Sequence, residues 1–370
     1  MADDSLQDLR DELNEIDAGL VRLMGRRQEV VEEIGRVKQK TGRTTRDHAR
    51  EKVVLDKVRN LATELKIDAD AVARIFEELI RASLAVQERD RLVRRSGGGD
   101  RPVLVIGGAG LMGRWFADFL DSQGFEVTIA DPAGSVEEFE SVDDWTTLDV
   151  DSFYMVLVAT PMQVANEVLE ELAERASDTI ILDISSLKEP VRPGLQKLVE
   201  AGVPVASLHP MFGPDVILLS GRHVVVVDLG NRRALEAARG LFEETMATIV
   251  EMEFEQHDRA MALVLGLSHA INIVFGDTLA NSRQRAERLS EVSSTTFARQ
   301  LSVAGQVAHE NPHLYFEIQA LNPYSDELLD ALAESVDRLR KQIASGAASE
   351  FVKMMEERRR FLLRRPEVDG

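Results

Sequence analysis

The sequence predicts a multi-domain chain: an all-α segment, then an α/β segment around a parallel sheet, then a second all-α segment. Three observations predict it. Residues 1–92 contain no proline and repeat apolar residues at helical spacing. Residues 101–250 alternate short β-branched runs with helical stretches, the pattern of βαβ units. From residue 251 to 370 the helical period returns. Residues 93–100, with Gly97, Gly98 and Gly99 in a row, read as a linker between the first two segments.

Composition narrows the function. Of the 370 residues, 44% are apolar and 29% charged, and the net charge is −20. The first 100 residues are nearly neutral, with 20 basic and 21 acidic side chains, while the remainder carries 24 against 43. So acidic a surface disfavours nucleic acid and anionic membrane, and any anionic ligand must be met by locally placed cations. With no cysteine there is no disulfide, thiolate nucleophile or Cys-ligated metal, and no metal site is expected. No uninterrupted apolar run reaches the roughly 18 residues of a membrane span. The acidic start from Met1 to Ser5 lacks the basic and apolar regions of a signal peptide, so a cytoplasmic enzyme is expected.

The first helix is predicted from residue 5 to 41. Ser5 to Asp8 resembles a capping box. Leu6, Leu9, Leu13, Ile16, Leu20, Leu23, Val30, Ile34 and Val37 follow at alternating spacings of three and four. At 1.5 Å per residue this helix is roughly 55 Å long, too long for a lone 90-residue globule, so a homodimer is expected. A second helix is predicted near Asp47 and a third after Asp68. The third carries a stripe of Val72, Ile75, Phe76, Leu79 and Ile80 that turns polar at Ser83 and Gln87.

Cations interrupt these apolar faces. Arg27 stands where the first seam calls for an apolar residue, and Lys38 lies three turns on, on nearly the same face. Arg46, Asp47, Arg50 and Glu51 open the second helix. Buried polar groups are costly unless paired. The spacing therefore fits either a dimer seam with buried Arg–Glu pairs or a cavity for a small polyanion.

Residues 5–90 resemble the all-helical, intertwined-dimer chorismate mutases at Arg10, Arg27, Lys38, Asp47, Arg50, Glu51, Ser83 and Gln87. The resemblance implies that Arg27, with Arg10 reaching from the partner chain, grips the two carboxylates of chorismate, and that Arg50 helps set the field. It implies that Lys38 and Gln87 donate to the ether oxygen, that Glu51 accepts from the ring hydroxyl, and that Asp47 and Ser83 position the remaining groups. A Claisen rearrangement needs only a compact substrate pose and stabilisation of charge on the breaking ether oxygen.

In the α/β segment, Val103 to Ile106 reads as a strand and Arg114 to Leu120 as a helix. The turn between them holds Gly108, Gly110, Met112 and Gly113 in a G-x-G-x-x-G arrangement, the Rossmann fingerprint in its proper place. The helix N-terminus can then hold a pyrophosphate. The next strand ends at Asp131, where a carboxylate binds ribose hydroxyls and repels a 2′-phosphate, which predicts NAD rather than NADP. Phe153 to Ala159 reads as a later strand, with Thr160 at its end beside the expected nicotinamide ribose. Strands Thr179–Ile184 and Val203–Leu208 run into Ser186 and Lys188 and into His209, at the carboxyl ends where open α/β sheets bind ligands. From position alone His209 is either a general base or a turn-stabilising residue.

From residue 101 onward the chain resembles prephenate dehydrogenase, on the stretches GGAGLMGRWF, DISSLK and HPMFGPD. The order of the two parts resembles the bifunctional chorismate mutase/prephenate dehydrogenase family of tyrosine biosynthesis. The resemblance implies that His209 takes the proton of the C4 hydroxyl while hydride leaves C4 for NAD, and that loss of CO₂ gives 4-hydroxyphenylpyruvate. It implies that Ser186 orients His209 and the hydroxyl, that Lys188 supports the substrate region, and that His269 contacts substrate. The family's carboxylate-binding arginine is replaced here by Gln306, six residues before Asn311-Pro312, and Arg299, two turns back, is a candidate stand-in. Prephenate and arogenate both remain open as substrates, and the helical C-terminal segment is expected to dimerise. The alternative is a dehydrogenase whose N-terminal helices serve only as a dimerisation module.

Overall fold

The computed structural model describes residues 2–40, 48–94, 98–216, 219–346 and 348–363. The first segment is three helices, α1 (Ala2–Lys40), α2 (His48–Glu64) and α3 (Ala69–Arg94). Helix α1 begins three residues before the expected start at Ser5. Asp68 accepts from the N–H groups of Asp70 and Ala71 and so opens α3. Two faces of α1 behave differently. Val31 is buried and Arg27 half-buried, whereas Leu9, Leu13, Ile16, Leu20, Leu23, Val30, Ile34 and Val37 of the apolar seam are all exposed in the single chain.

The second segment is an eight-stranded sheet: β1 (Pro102–Ile106), β2 (Glu126–Ala130), β3 (Glu140–Val142), β4 (Met155–Val158), β5 (Ile180–Asp183), β6 (Val205–Pro210), β7 (His223–Val227) and β8 (Thr248–Met252). The strand order is β3-β2-β1-β4-β5-β6-β7-β8, and its first six strands follow the 3-2-1-4-5-6 order of doubly wound dinucleotide-binding folds. Strands β1 and β2 pair in parallel from Pro102↔Glu126 to Ile106↔Ala130, and β5 and β6 pair in parallel through Asp183↔Ser207. Five strands, β1, β2, β4, β5 and β7, are largely apolar runs buried along most or all of their length, as expected when helices cover both faces. Helices α4 (Leu111–Ser122), α5 (Met162–Arg175), α6 (Arg192–Glu200) and α7 (Arg232–Glu243) alternate with them.

The third segment is α8 (Phe254–Met261), a π-helical stretch over Ala262–Leu267, α9 (Ser268–Asn281), α10 (Ala286–Glu291), α11 (Thr295–His309), α12 (Pro312–Ala320), α13 (Ser325–Ser345) and α14 (Ala348–Leu363). The π stretch joins α8 to α9. Together they form a 28-residue helix, Phe254–Asn281, with an 18-residue window of mean hydropathy 1.5, long and apolar enough by length and composition to cross a membrane. The sequence reading placed this region in a helical segment but, counting uninterrupted apolar runs, did not register its span-like length, because polar residues such as Ser268, His269 and Asn272 punctuate it.

Candidate active sites

In the helical segment, α1 and α3 bring two of the expected residues together. The Arg27 guanidinium donates to the Leu79 carbonyl at 3.0 Å and to the Ser83 hydroxyl. Ser83 Oγ in turn donates to Leu79 O at 2.6 Å. Ser83 is buried, and burial lowers the Arg27 pKa from its ordinary value. A guanidinium remains charged at any working pH, so this bundle carries a fixed cation on an otherwise apolar face. Arg10 is exposed on α1. Lys38 falls on α1, Arg50 and Glu51 on α2 and Gln87 on α3, but their side chains, like the whole of Asp47, lie outside what the structure describes.

The glycine turn after β1 has the geometry of a cofactor cradle. Gly107 adopts φ +85°, open to few residues but glycine. A Cβ at Gly113 would lie 2.1 Å from Gly107 O, and one at Gly108 would meet the Ile129 side chain at 2.6 Å. Close approach of α4 to the turn therefore requires Gly113, and close packing of the turn on β2 requires Gly108. The first-turn N–H groups of α4, at Leu111 and Met112, point beyond the helix as an anion site. The Asp131 carboxylate accepts from the N–H of Ala109 at 3.0 Å and of Ala133 at 2.8 Å. These bonds hold it against the turn and leave lone pairs for ribose hydroxyls. Trp115 of α4 donates to Val216 O at 2.9 Å and packs edge-on to Phe212 at 5.0 Å, which anchors the loop after β6. At the carboxyl end of β4, the Thr160 hydroxyl is buried and lacks a partner among the described residues. The glycine turn, the α4 N-terminus and Asp131 fit the pyrophosphate and adenosine ribose of a dinucleotide.

A buried polar cluster surrounds the end of β6. His209 is the penultimate residue of that strand, not the first residue beyond it, and is 3% exposed. Its Nδ1 lies 3.0 Å from His257 Nε2, and His257 Nδ1 lies 2.6 Å from Asp258 Oδ1. Burial, with added repulsion from His257 and Lys188, drives the His209 pKa well below the ordinary imidazole value. Burial also lowers that of His257, more than the Asp258 carboxylate lifts it. Both rings are therefore neutral near pH 7.

Lys188 is a correction to the sequence reading, which gave it to the substrate. Its ammonium has no exposure and donates to Asp183 Oδ2 (3.1 Å), Ser185 O (2.6 Å) and Leu208 O (2.8 Å). All three N–H bonds are directed at protein acceptors, so Lys188 clamps β5 to the residue preceding His209. Ser207 adds a 2.6 Å bond to the same Asp183 carboxylate. Ser186, expected to orient His209, is half-buried and makes no hydrogen bond to it among the described residues. His269 stacks on Tyr315 at 4.1 Å and keeps a buried Nδ1 with no partner among the described residues. Arg299 and Gln306 share helix α11, and both are exposed. His257 and Asp258 were missed. The one available signal was a titratable pair set one turn before an apolar helical stretch.

Three family models match the chain in order. Chorismate mutase type II matches residues 9–88; the nucleotide-binding domain of prephenate dehydrogenase matches 121–251; and the dimerization domain of prephenate dehydrogenase matches 253–357. The T-protein of Enterobacter agglomerans is 29% identical over 315 residues, 84% of this chain and 80% of that one. The T-protein of Haemophilus influenzae is 26% identical over 341 residues, 90% and 86% of the respective chains. The chain belongs to the bifunctional chorismate mutase/prephenate dehydrogenase family. Its dehydrogenase part shares the fold of the A. aeolicus prephenate dehydrogenase solved with hydroxyphenyl propionate and NAD⁺. That likeness has a TM-score of 0.59 and 20% identity, over 71% of this chain and 97% of that chain. The matched nucleotide-binding stretch begins beyond the glycine turn, so in this bifunctional chain the turn rests on its own geometry.

Proposed function

We propose that the chain rearranges chorismate to prephenate in its helical bundle, then oxidises and decarboxylates prephenate to 4-hydroxyphenylpyruvate with NAD. The observation that carries the second half is a buried, neutral imidazole at the carboxyl end of β6. The Arg27–Ser83 pair between α1 and α3 supports the first half.

In the bundle, Arg27 supplies fixed positive charge for a substrate carboxylate and Ser83 holds the guanidinium in place. Arg10 of a second copy supplies the other cation, and Lys38, Arg50, Glu51, Asp47 and Gln87 take the roles the family resemblance implies. In the dehydrogenase part, the α4 N-terminus beyond Gly108, Gly110 and Gly113 would hold the pyrophosphate, with Met112 beside it. Asp131 would hold the adenosine ribose, and Thr160 the nicotinamide ribose. When bound, NAD would supply the acceptor for the hydride on C4 of prephenate. His209 takes the C4 hydroxyl proton as the carboxylate leaves as CO₂, its bonding pair aromatises the ring, and the proton returns to the phenol oxygen. Ser186 orients the hydroxyl. His269 offers its unpartnered nitrogen to the substrate, and Arg299, with Gln306, meets a carboxylate.

The chain acts as a homodimer in this reading. The exposed seam of α1 and the apolar Phe254–Asn281 helix are faces that a second copy would cover. A cytoplasmic location is part of the same reading. The test is NADH formation from prephenate compared with arogenate, in wild type, Gln306→Arg and Arg299→Ala. Turnover of prephenate with an Arg299→Ala KM about tenfold higher supports the assignment. No NADH from either compound refutes it.

A further inference from the structure

The Asp258–His257–His209 chain lies wholly inside the protein, and none of the three side chains is reached by solvent to any useful degree. Asp258 is surrounded by donors. Its Oδ1 accepts from the Lys188 N–H and its Oδ2 from the Glu189 N–H, each at 2.8 Å. Its backbone carbonyl is held by Asn322 Nδ2 at 2.8 Å. A carboxylate fixed by two backbone donors can only accept, so the His257 nitrogen 2.6 Å away must carry the hydrogen. That nitrogen is Nδ1. In a neutral ring the other nitrogen, Nε2, is then bare. It faces His209 Nδ1 at 3.0 Å, so His209 Nδ1 must be the donor. The remaining nitrogen of His209, Nε2, is left with a free lone pair. One carboxylate thereby decides, through two rings, which nitrogen of His209 is basic.

The alternative proton arrangement is a doubly protonated His257 donating from Nε2 to His209. It would force the His209 hydrogen onto Nε2 and abolish the base. Burial of both rings and the positive charge of nearby Lys188 oppose a second positive charge there, and they outweigh Asp258 and Asp183, whose carboxylates favour one on His257.

We propose that Asp258 and His257 are positioning residues that hold the His209 proton on Nδ1 and leave Nε2 as the acceptor. This rests on the reading of His209 as the base. The same chain gives the imidazolium formed during turnover a hydrogen-bond acceptor and, beyond it, a carboxylate.

The test uses the full chain with isotope-labelled histidine and long-range proton–nitrogen correlation spectra near neutral pH. His209 is assigned from the signal lost in His209→Gln. Hydrogen on Nδ1 of both His209 and His257, with Nε2 bare in each, is expected; hydrogen on Nε2 of His209 would overturn the proposal. In steady-state assays, His257→Phe is expected to lower kcat about 100-fold, less than the roughly 10⁴-fold of an inverted tautomer. The KM for NAD should stay near the wild-type value. His257→Gln, whose carbonyl oxygen still accepts from Nδ1–H, should recover most of the loss. A folded His257→Phe enzyme with wild-type kcat, or a Gln variant no better than Phe, contradicts the proposal. If the Phe variant does not fold, the wild-type spectrum alone decides. A wild-type chain that makes no NADH refutes the base assignment, whereas the tautomer is read without substrate, so the two failures are separable.

Discussion

At Lys188 an ammonium sits beyond the reach of water, opposite Asp183 and two carbonyls. Removing one partner of a buried pair leaves the other charge uncompensated, at a cost of about 3–5 kcal/mol. Lys188→Met should therefore lower stability by that amount, read as a fall in the thermal midpoint, and should reduce kcat by displacing His209 rather than by raising substrate KM. The two buried imidazoles set a pH dependence. Their folded pKa values lie below the ordinary value of about 6.5, so the unfolded chain binds protons first as pH falls. Stability is full above about pH 6.5 and declines as pH drops from there toward the lowered folded values. Dehydrogenase activity should persist below that ordinary value and fall only as His209 takes up its proton. A kcat/KM profile whose acid limb lies above about pH 6.5 would contradict this. Residue types and chain position made His209 and Asp131 visible in the sequence. Hydrogen-bond partners were not visible, since Lys188 reads as a surface cation until its three acceptors are seen to converge on it.

Among the elements, the glycine turn between β1 and α4 carries the sharpest steric constraint. Gly113→Ala places a carbon 2.1 Å from Gly107 O, so the turn must open and NAD binding should be lost, measurable by titration of intrinsic Trp115 fluorescence. Chorismate rearrangement by the same variant should be unaffected. This turn was legible because strand, glycines and helix are consecutive in the chain. Helix α8 was not. His257 and Asp258 act on a strand end 48 residues earlier, and such a pairing follows only from where the chain folds back. The seam of α1 was legible as a stripe but not as two faces: Arg27 and Val31 turn toward α3 while the leucines stay exposed.

For the whole molecule, the order of helical bundle, nucleotide-binding sheet and helical C-terminal segment could be read from changes of hydrophobic period. In the proposed homodimer the second copy covers the exposed apolar faces, which one chain alone leaves open. Sedimentation should give about twice the 41.1 kDa chain mass, and Leu20→Lys in the α1 seam should weaken association and mutase activity together. Arg27→Ala should cost about 10²–10³-fold in mutase kcat while leaving NADH formation from prephenate intact. The central claim is that one polypeptide performs both steps. Adding chorismate and NAD to the purified chain tests it most directly. The account predicts NADH and 4-hydroxyphenylpyruvate in equal amounts after a lag that supplied prephenate removes; NADH from prephenate but none from chorismate would contradict it.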